Sequence, residues 1–319
     1  MKKKIEAMFL GLSLADALGV PVEFTSREKL NENPVDSMLG YGTYNQEEGT
    51  WSDDSSLTFC LAESLVSGYN LKDIAIKFIQ WKSEEIWTPH GDVFDIGIQT
   101  TRAIDRLYRI ISNKDDESLK LLMYEDDEYT NGNGSLMRIL PLIFHIRGKS
   151  IQEQFQIIRE VSSLTHGHIR SAISCLVYLK LAEHILEGLS IRDSYEKVRK
   201  VIRKFFEETN ISKRETKHFE RIIFDDISNY EIDDIKSTGY VIHTLEASFW
   251  CLLKYPSYLT AVFKAINLGE DTDTTATVVG GIAGLYYGVE KVPVEWINKL
   301  ARVNDIKNLS HRFLKSLEK

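Results

Sequence analysis

Cysteine is scarce in this chain: three residues in 319, none in a Cys-x-x-Cys pair. His-Glu-x-x-His is missing as well. With neither ligand spacing present, a zinc site is not expected. Cys60, Cys175 and Cys251 all sit in apolar helical runs and read as buried thiols. No run of 18 apolar residues occurs, so no membrane-spanning helix is expected. The start, Met1 to Leu10, imitates a secretory leader in its basic and then apolar character. Glu6 and Asp16 interrupt it, however, and no small-residue cleavage site follows. The chain therefore reads as cytoplasmic. An excess of basic residues is also lacking. Net charge is −8 and the pI is near 5.6, which argues against nucleic acid or an anionic membrane as a partner. Proline is rare, with only six, and strand-like alternation is almost absent.

What remains is helical periodicity nearly from end to end, with 43% hydrophobic residues to build a core. The pattern predicts helices over 4–19, 55–67, 71–83, 92–112, 134–146, 151–162, 168–187, 190–208, 213–224, 239–254, 257–267, 273–288, 293–303 and 305–317. Two long breaks, 25–54 and 113–133, separate them. Loops of that length in a helical domain are usually functional or disordered. The second carries the acidic run Glu125-Asp126-Asp127-Glu128. No repeat or linker divides the chain, so residues 1–319 read as one all-α domain, with the polar segment 206–236 as a peripheral insertion.

Two oxygen-rich clusters stand at opposite ends. Asp271-Thr-Asp273-Thr274 opens an apolar helix, and Ser52-Asp53-Asp54-Ser55 opens another. Carboxylates are favoured at helix N-termini by the exposed N–H groups and the dipole. That accounts for one aspartate of the 271–274 cluster, not for two plus a threonine; Ser52-Asp53-Asp54 taken alone reads as an ordinary acidic helix start, and only its pairing with the other cluster argues for metal. Carboxylate and hydroxyl oxygens are the hard ligands that Mg²⁺ or Mn²⁺ prefers. Ser52, Asp53, Asp54, Asp271, Asp273 and Thr274 are thus the candidate metal ligands, enough for two divalent cations. Gly280, Gly284 and Gly288 share one face of the second helix. Glycine costs about 1 kcal/mol inside a helix, so a close approach of another backbone is expected there.

Other positions are ambiguous when taken singly. Asp16 interrupts an apolar helix and reads as buried support for the metals or for a loop. Glu23 follows a Gly–Pro turn and can equally be a surface acid. Asn131-Gly132-Asn133-Gly134 leads into a helix and offers N–H groups to an anion such as a diphosphate; it also suits a plain capping turn. His166, in Thr165-His-Gly-His168, is either a ribose contact or a packing residue. Asp95 lies beside apolar residues and Gly97.

In combination these motifs resemble the ADP-ribosylglycohydrolases, the group that includes the dinitrogenase reductase-activating glycohydrolase. The matching stretches are Asp16-Ala-Leu-Gly19, Trp51-Ser-Asp-Asp-Ser55, Asp95-Ile-Gly97, Gly132-Asn-Gly-Ser-Leu-Met-Arg138, Thr165-His-Gly167, Gly239-Tyr-Val-Ile-His-Thr-Leu245 and Asp271-Thr-Asp-Thr274. The resemblance implies a compact orthogonal multi-helix domain with two Mg²⁺ or Mn²⁺ ions at its centre. It implies hydrolysis of the bond between ADP-ribose and a protein side chain or a related small-molecule acceptor, by a monomer. Thr130, Asn131, Gly132 and Asn133 fall on the diphosphate loop, His166 on a ribose contact, and Asp95 and Glu23 on the acids near the reacting centre. Ala15, Ser52 and Ser55 depart from the commoner glycine and threonines without removing an oxygen ligand. Competing expectations are a phosphohydrolase of ADP-ribose-like nucleotides and a non-catalytic ADP-ribose binder.

Overall fold

A computed structural model describes residues 1–125 and 127–318; Asp126 of the acidic run and Lys319 lie outside the described residues. The helices, in chain order, are α1 (Lys2–Gly19), α2 (Arg27–Glu32), α3 (Asp53–Leu65), α4 (Leu71–Glu84), α5 (Ile98–Ser112), α6 (Asp116–Leu121), α7 (Ile143–Ile146) and α8 (Ile151–Ser163). They continue as α9 (Ile169–Leu186), α10 (Ile191–Glu208), α11 (Lys213–Lys217), α12 (Val241–Lys254), α13 (Tyr258–Ile266), α14 (Thr272–Tyr287), α15 (Val294–Lys299) and α16 (Val303–Ser316). Among the described residues, β pairing is limited to two isolated bridges, Tyr41–Gln46 and Gly132–Tyr240. The all-α expectation holds.

The first and fourteenth helices form the axis of the fold. α1 is apolar nearly all round and long enough by composition to cross a membrane, but most of it is buried inside the protein. A helix apolar on every face needs neighbours on every face. Its principal one is α14, and the approach is at backbone distance. A Cβ added to Gly284 would lie 2.2 Å from the Ala7 carbonyl oxygen, and one added to Gly280 2.5 Å from that of Gly11. The expected close approach is therefore real. Gly288 does not take part: with φ at +76° it terminates α14.

α3 begins where the C-terminal end of α1 meets the start of α14. Ser52 caps it, accepting from the Asp54 N–H at 3.3 Å. The three cysteines are free and buried, as expected.

Several predicted boundaries move for local reasons. The helix expected from 92 starts at Ile98, because Asp95 adopts a left-handed φ of +55°. The helix expected over 134–146 is instead a set of turns, a 3₁₀ turn Leu140–Leu142 with Pro141 in its first positions, and the short α7. Residues 213–224 split into α11 and a π turn, Glu220–Phe224. The segment 206–236, expected as a peripheral insertion, sends apolar side chains into the core. Phe219, Ile222, Ile223, Ile227 and Ile235 are fully buried, and Arg27 donates to the carbonyls of Ile232 and Ile235 at 2.7 and 2.5 Å.

Candidate metal centre and active site

The end of α1, the start of α3 and the start of α14 converge on one acidic centre. Gly19 is the contact that permits it: an added Cβ there would lie 2.4 Å from Asp273 Cα. The Gly19 carbonyl accepts from Thr272 Oγ1 at 2.8 Å. Asp16, one turn earlier on α1, accepts from the Ser52 and Ser55 N–H groups at 2.9 and 3.0 Å and from Ser55 Oγ at 2.6 Å. It thereby fixes the start of α3, in keeping with the supporting role expected. Across the gap, Thr274 Oγ1 donates to Asp54 Oδ2 at 3.1 Å, as does Ser52 Oγ at 3.1 Å. The Thr274 N–H donates to Asp273 Oδ1 at 2.8 Å.

Carboxylates dominate this centre. Asp16, Asp54 and Asp273 bring oxygens within 4.8 Å of one another, and so do Glu23, Asp271 and Asp273. The two triads share Asp273. Burial is the first cause of a raised proton affinity at all of these groups and at Asp53 and Asp95. Charge repulsion from the other acids adds to it at Glu23, Asp53, Asp54 and Asp273. Glu23 is pushed up to about 9 and Asp16 to about 7. None of the seven belongs to an ion pair among the described residues. Glu23 Oε2, Asp54 Oδ1, Asp271 Oδ1 and Asp273 Oδ2 are buried without a hydrogen-bond partner. Buried carboxylates without partners are costly. Divalent cations with oxygen preference meet that need directly, so the residues present fit such ions.

A cavity of about 250 Å³ opens onto this centre. Glu23, Asp53, Asp95, Asp271 and Thr274 face it from the acidic side, and Gly132, Asn133, Gly134, His166 and Gly239 from the other. Ser52, Asp54 and Asp273 lie deeper and do not reach its surface. Asp95 accepts a very short hydrogen bond from the Tyr44 hydroxyl. Tyr44 stands in the 3₁₀ turn Gly42–Tyr44, and Thr43 ties this turn to the Glu23 carbonyl at 2.8 Å. Sequence reasoning missed Tyr44, since Gly40-Tyr-Gly-Thr-Tyr44 carries no spacing that marks it.

The opposite wall is built around Arg138. Its guanidinium is fully buried, bonds the Gly134 carbonyl and lies 4.8 Å over the Phe78 ring. Burial and the Arg138 charge push His166 down to about 3, so its ring is neutral; Thr165 Oγ1 bonds its Nδ1 at 2.8 Å. The Gly132–Tyr240 bridge sets the loop. The Asn133 N–H donates to the Gly239 carbonyl at 3.0 Å, and the Val241 N–H to the Asn131 carbonyl at 3.0 Å. Asn133 Nδ2 donates to Asp271 Oδ2 at 2.8 Å and so links this wall to the acids. Two of the expected loop residues stand elsewhere. Thr130 lines a neighbouring groove with Gln99 and Arg106, and Asn131 is turned inward, its Nδ2 on the Glu128 carbonyl. Both side chains are held by their own 3₁₀ turn, Thr130 Oγ1 donating to the Asp127 carbonyl at 2.7 Å.

A profile of the ADP-ribosylglycohydrolase family matches residues 1–319. The chain belongs to the ADP-ribosylglycohydrolase family. It is therefore a hydrolase of the glycosidic ADP-ribose class, as the sequence motifs implied. The ADP-ribosylarginine hydrolase Tri1 of Serratia proteamaculans (strain 568) is 30% identical over 97% of this chain and 78% of its own. The ADP-ribosyl-[dinitrogen reductase] glycohydrolase of Rhodospirillum rubrum is 25% identical over 92% of this chain and 88% of its own. A solved ADP-ribosylglycohydrolase-related protein complex shares the fold with a TM-score of 0.77 and 26% identity, over 99% of this chain and 98% of its own.

Proposed function

We propose that this ADP-ribosylglycohydrolase uses two divalent cations, Mg²⁺ or Mn²⁺, to release ADP-ribose from an arginine side chain of a modified protein. The observation that carries the dinuclear reading is the pair of acid triads sharing Asp273, each with unpartnered oxygens. Ser52, Asp53, Asp54, Asp271, Asp273 and Thr274 supply the oxygen ligands, and Glu23 lies close enough to Asp271 and Asp273 to join them. The arginine acceptor rests on the names of the relatives and on the acidic face of the cavity, which suits a guanidinium.

Bound cations supply Lewis acidity, which polarises oxygens and lowers the pKa of water. The chain's own residues do the rest. Gly132, Gly134 and His166 give the nucleotide a close, neutral wall, and among the described residues no backbone carbonyl takes the Gly132 N–H. Asp95, held by Tyr44, and Glu23 both face the cavity. Without cations Glu23 keeps its proton through neutral pH. Positive charge in the cluster lowers that affinity toward the range in which a carboxyl both gives and takes protons. One of these two acids then serves the leaving group, and the 250 Å³ cavity limits the water that competes.

The test is a product assay on ADP-ribosyl-arginine and ADP-ribosyl-serine peptides, with and without EDTA. Intact ADP-ribose from the arginine peptide, abolished by EDTA and restored by Mn²⁺, is the expected result. AMP plus a ribose phosphate would mark a phosphohydrolase and overturn the reading; release from serine alone would overturn the acceptor.

A further inference from the structure

The polar segment between α10 and α12 has no part in the acidic centre, yet it is bolted to the far wall of the cavity. Arg170, one turn beyond His166, is buried and makes a two-pronged ion pair with Glu215 of α11, both bonds at 2.9 Å. Its remaining nitrogen donates to the Tyr240 hydroxyl at 3.2 Å. Tyr240 is the residue whose backbone pairs with Gly132. Beside this, Arg214 of the same short helix pairs with Glu128 at 2.5 Å, just before the loop begins. A bidentate guanidinium–carboxylate pair is directional and holds its partners in one orientation. Together with the Tyr240 bond it joins the start of α9, just after His166, to the residue that pairs with Gly132.

We propose that Arg170 and Glu215 are positioning residues which, through Tyr240, hold the Gly132–Gly239 wall at the spacing the nucleotide requires. The segment 206–236 then acts as a strap that sets affinity for the ADP-ribosyl group rather than the rate of bond cleavage. This rests on the reading that the Gly132 loop contacts the diphosphate. The tether touches none of the ligand acids, and because Asn133 links this wall to Asp271 the comparison is made at saturating Mn²⁺. A wall that is free to shift raises the dissociation constant for ADP-ribose and the KM for substrate, and leaves kcat nearly the same. Losing one hydrogen bond of this kind corresponds to an effect of about three- to tenfold.

The experiment compares Tyr240→Phe, Glu215→Gln and their double variant in the Mn²⁺-loaded protein. ADP-ribose binding is measured by calorimetry, and KM and kcat on an ADP-ribosyl-arginine peptide. The expected result is an ADP-ribose Kd and a KM raised about three- to tenfold, kcat within about twofold, and a double variant no worse than the stronger single one, since both act on one tether. Glu215→Gln strands a buried charge and can fail to fold. Tyr240→Phe keeps the ring and the ion pair and decides the matter alone in that case. Gly132→Val is run beside them. If it weakens ADP-ribose binding while the tether variants bind like the parent, the strap is wrong and the diphosphate reading stands. If Gly132→Val itself binds ADP-ribose like the parent, the diphosphate reading fails and the strap falls with it. A loss confined to kcat would also overturn the proposal.

Discussion

Gly19→Ala tests whether the acidic centre depends on the crossing of α1 and α14. Gly19 has right-handed φ and ψ of −83° and −37°, which alanine adopts freely, so the substitution acts through space alone. Its new Cβ would lie 2.4 Å from Asp273 Cα and 2.6 Å from Asp273 N, where ordinary contact begins at 3.4 Å. Both obstacles are backbone, so the start of α14 must retreat by about 1 Å. Metal ligation tolerates roughly 0.2 Å, and a displacement of 1 Å in a positioned site costs on the order of 10²-fold. At a Mn²⁺ concentration about 100 times the parent's Kd, metal adds roughly 2.7 kcal/mol of stability to the parent. A variant that binds 100-fold more weakly keeps about 0.4 kcal/mol of this. The difference, about 2.3 kcal/mol, corresponds to roughly 3 °C of melting temperature for a chain of this size. The assay is the Mn²⁺-induced shift in Tm, with calorimetry for the Kd. Gly284→Ala is the control: it forces the same two helices apart at Ala7, where the added Cβ meets a carbonyl at 2.2 Å, about 16 Å along the helix from Asp273. It should lower Tm yet keep the parent's metal affinity. If Gly19→Ala binds Mn²⁺ as the parent does, the centre does not depend on this crossing and the reasoning fails.

Three further outcomes follow from the same geometry. Asp273→Ala removes the residue common to both triads and should abolish metal binding and most activity; full occupancy in calorimetry would contradict the shared-ligand arrangement. Under metal saturation, Asp95→Asn or Glu23→Gln should lower kcat by about 10²–10⁴-fold with ADP-ribose affinity nearly kept, and a double variant within about threefold of the parent would show that neither acid moves the proton. In EDTA the protein should lose stability as pH rises. Glu23 and Asp16, with folded values of about 9 and 7, hold protons that the unfolded chain releases near pH 4. Their contribution is complete below that value and lost as pH climbs through 7 and 9, at roughly 1.4 kcal/mol per pH unit for each extra proton bound. Saturating Mn²⁺ should flatten the slope, and an EDTA-treated sample whose Tm stays level or rises between pH 5 and 8 would refute it.

The acids were legible in the sequence because their chemistry is local: Asp271-Thr-Asp273-Thr274 is more than a cap needs, and Ser52-Asp53-Asp54, an ordinary helix start when taken alone, gains its meaning from that second cluster. The glycine spacing at 280 and 284 likewise announced a backbone contact, although it overreached by one turn to Gly288. The far wall was harder to read. Gly132, Asn133 and His166 reach the cavity, but Thr130 and Asn131 are held by the carbonyls of Asp127 and Glu128 in a local turn, and Gly132 itself is set by a bridge to Tyr240, more than a hundred positions away. Tyr44 was invisible for a similar reason. Its role comes from a 3₁₀ turn folded over Pro21, where Gly42 at φ +63° would place a Cβ 1.9 Å from the proline carbonyl oxygen. Periodicity reports which face of a helix is buried and says nothing of where a loop lands.

The pairing of α1 with α14 has a consequence for how the protein is made. The two helices that form the axis are the second residue onward and the stretch from Thr272 to Tyr287. At elongation rates of about 5–20 residues per second, α1 leaves the ribosome roughly 13–50 s before its partner exists. During that interval a helix apolar on nearly every face has α3 to pack against, through Phe9 and Phe59, but not its principal partner, and the Ala7 and Gly11 carbonyls have yet to meet glycine. Such a chain is exposed to aggregation until α14 emerges, and its acidic centre, drawn from residues 16 to 274, cannot assemble on any nascent fragment that stops short of Thr274. Slowing translation downstream of α13 should therefore increase the dependence of soluble yield on chaperones far more than slowing it after Tyr287.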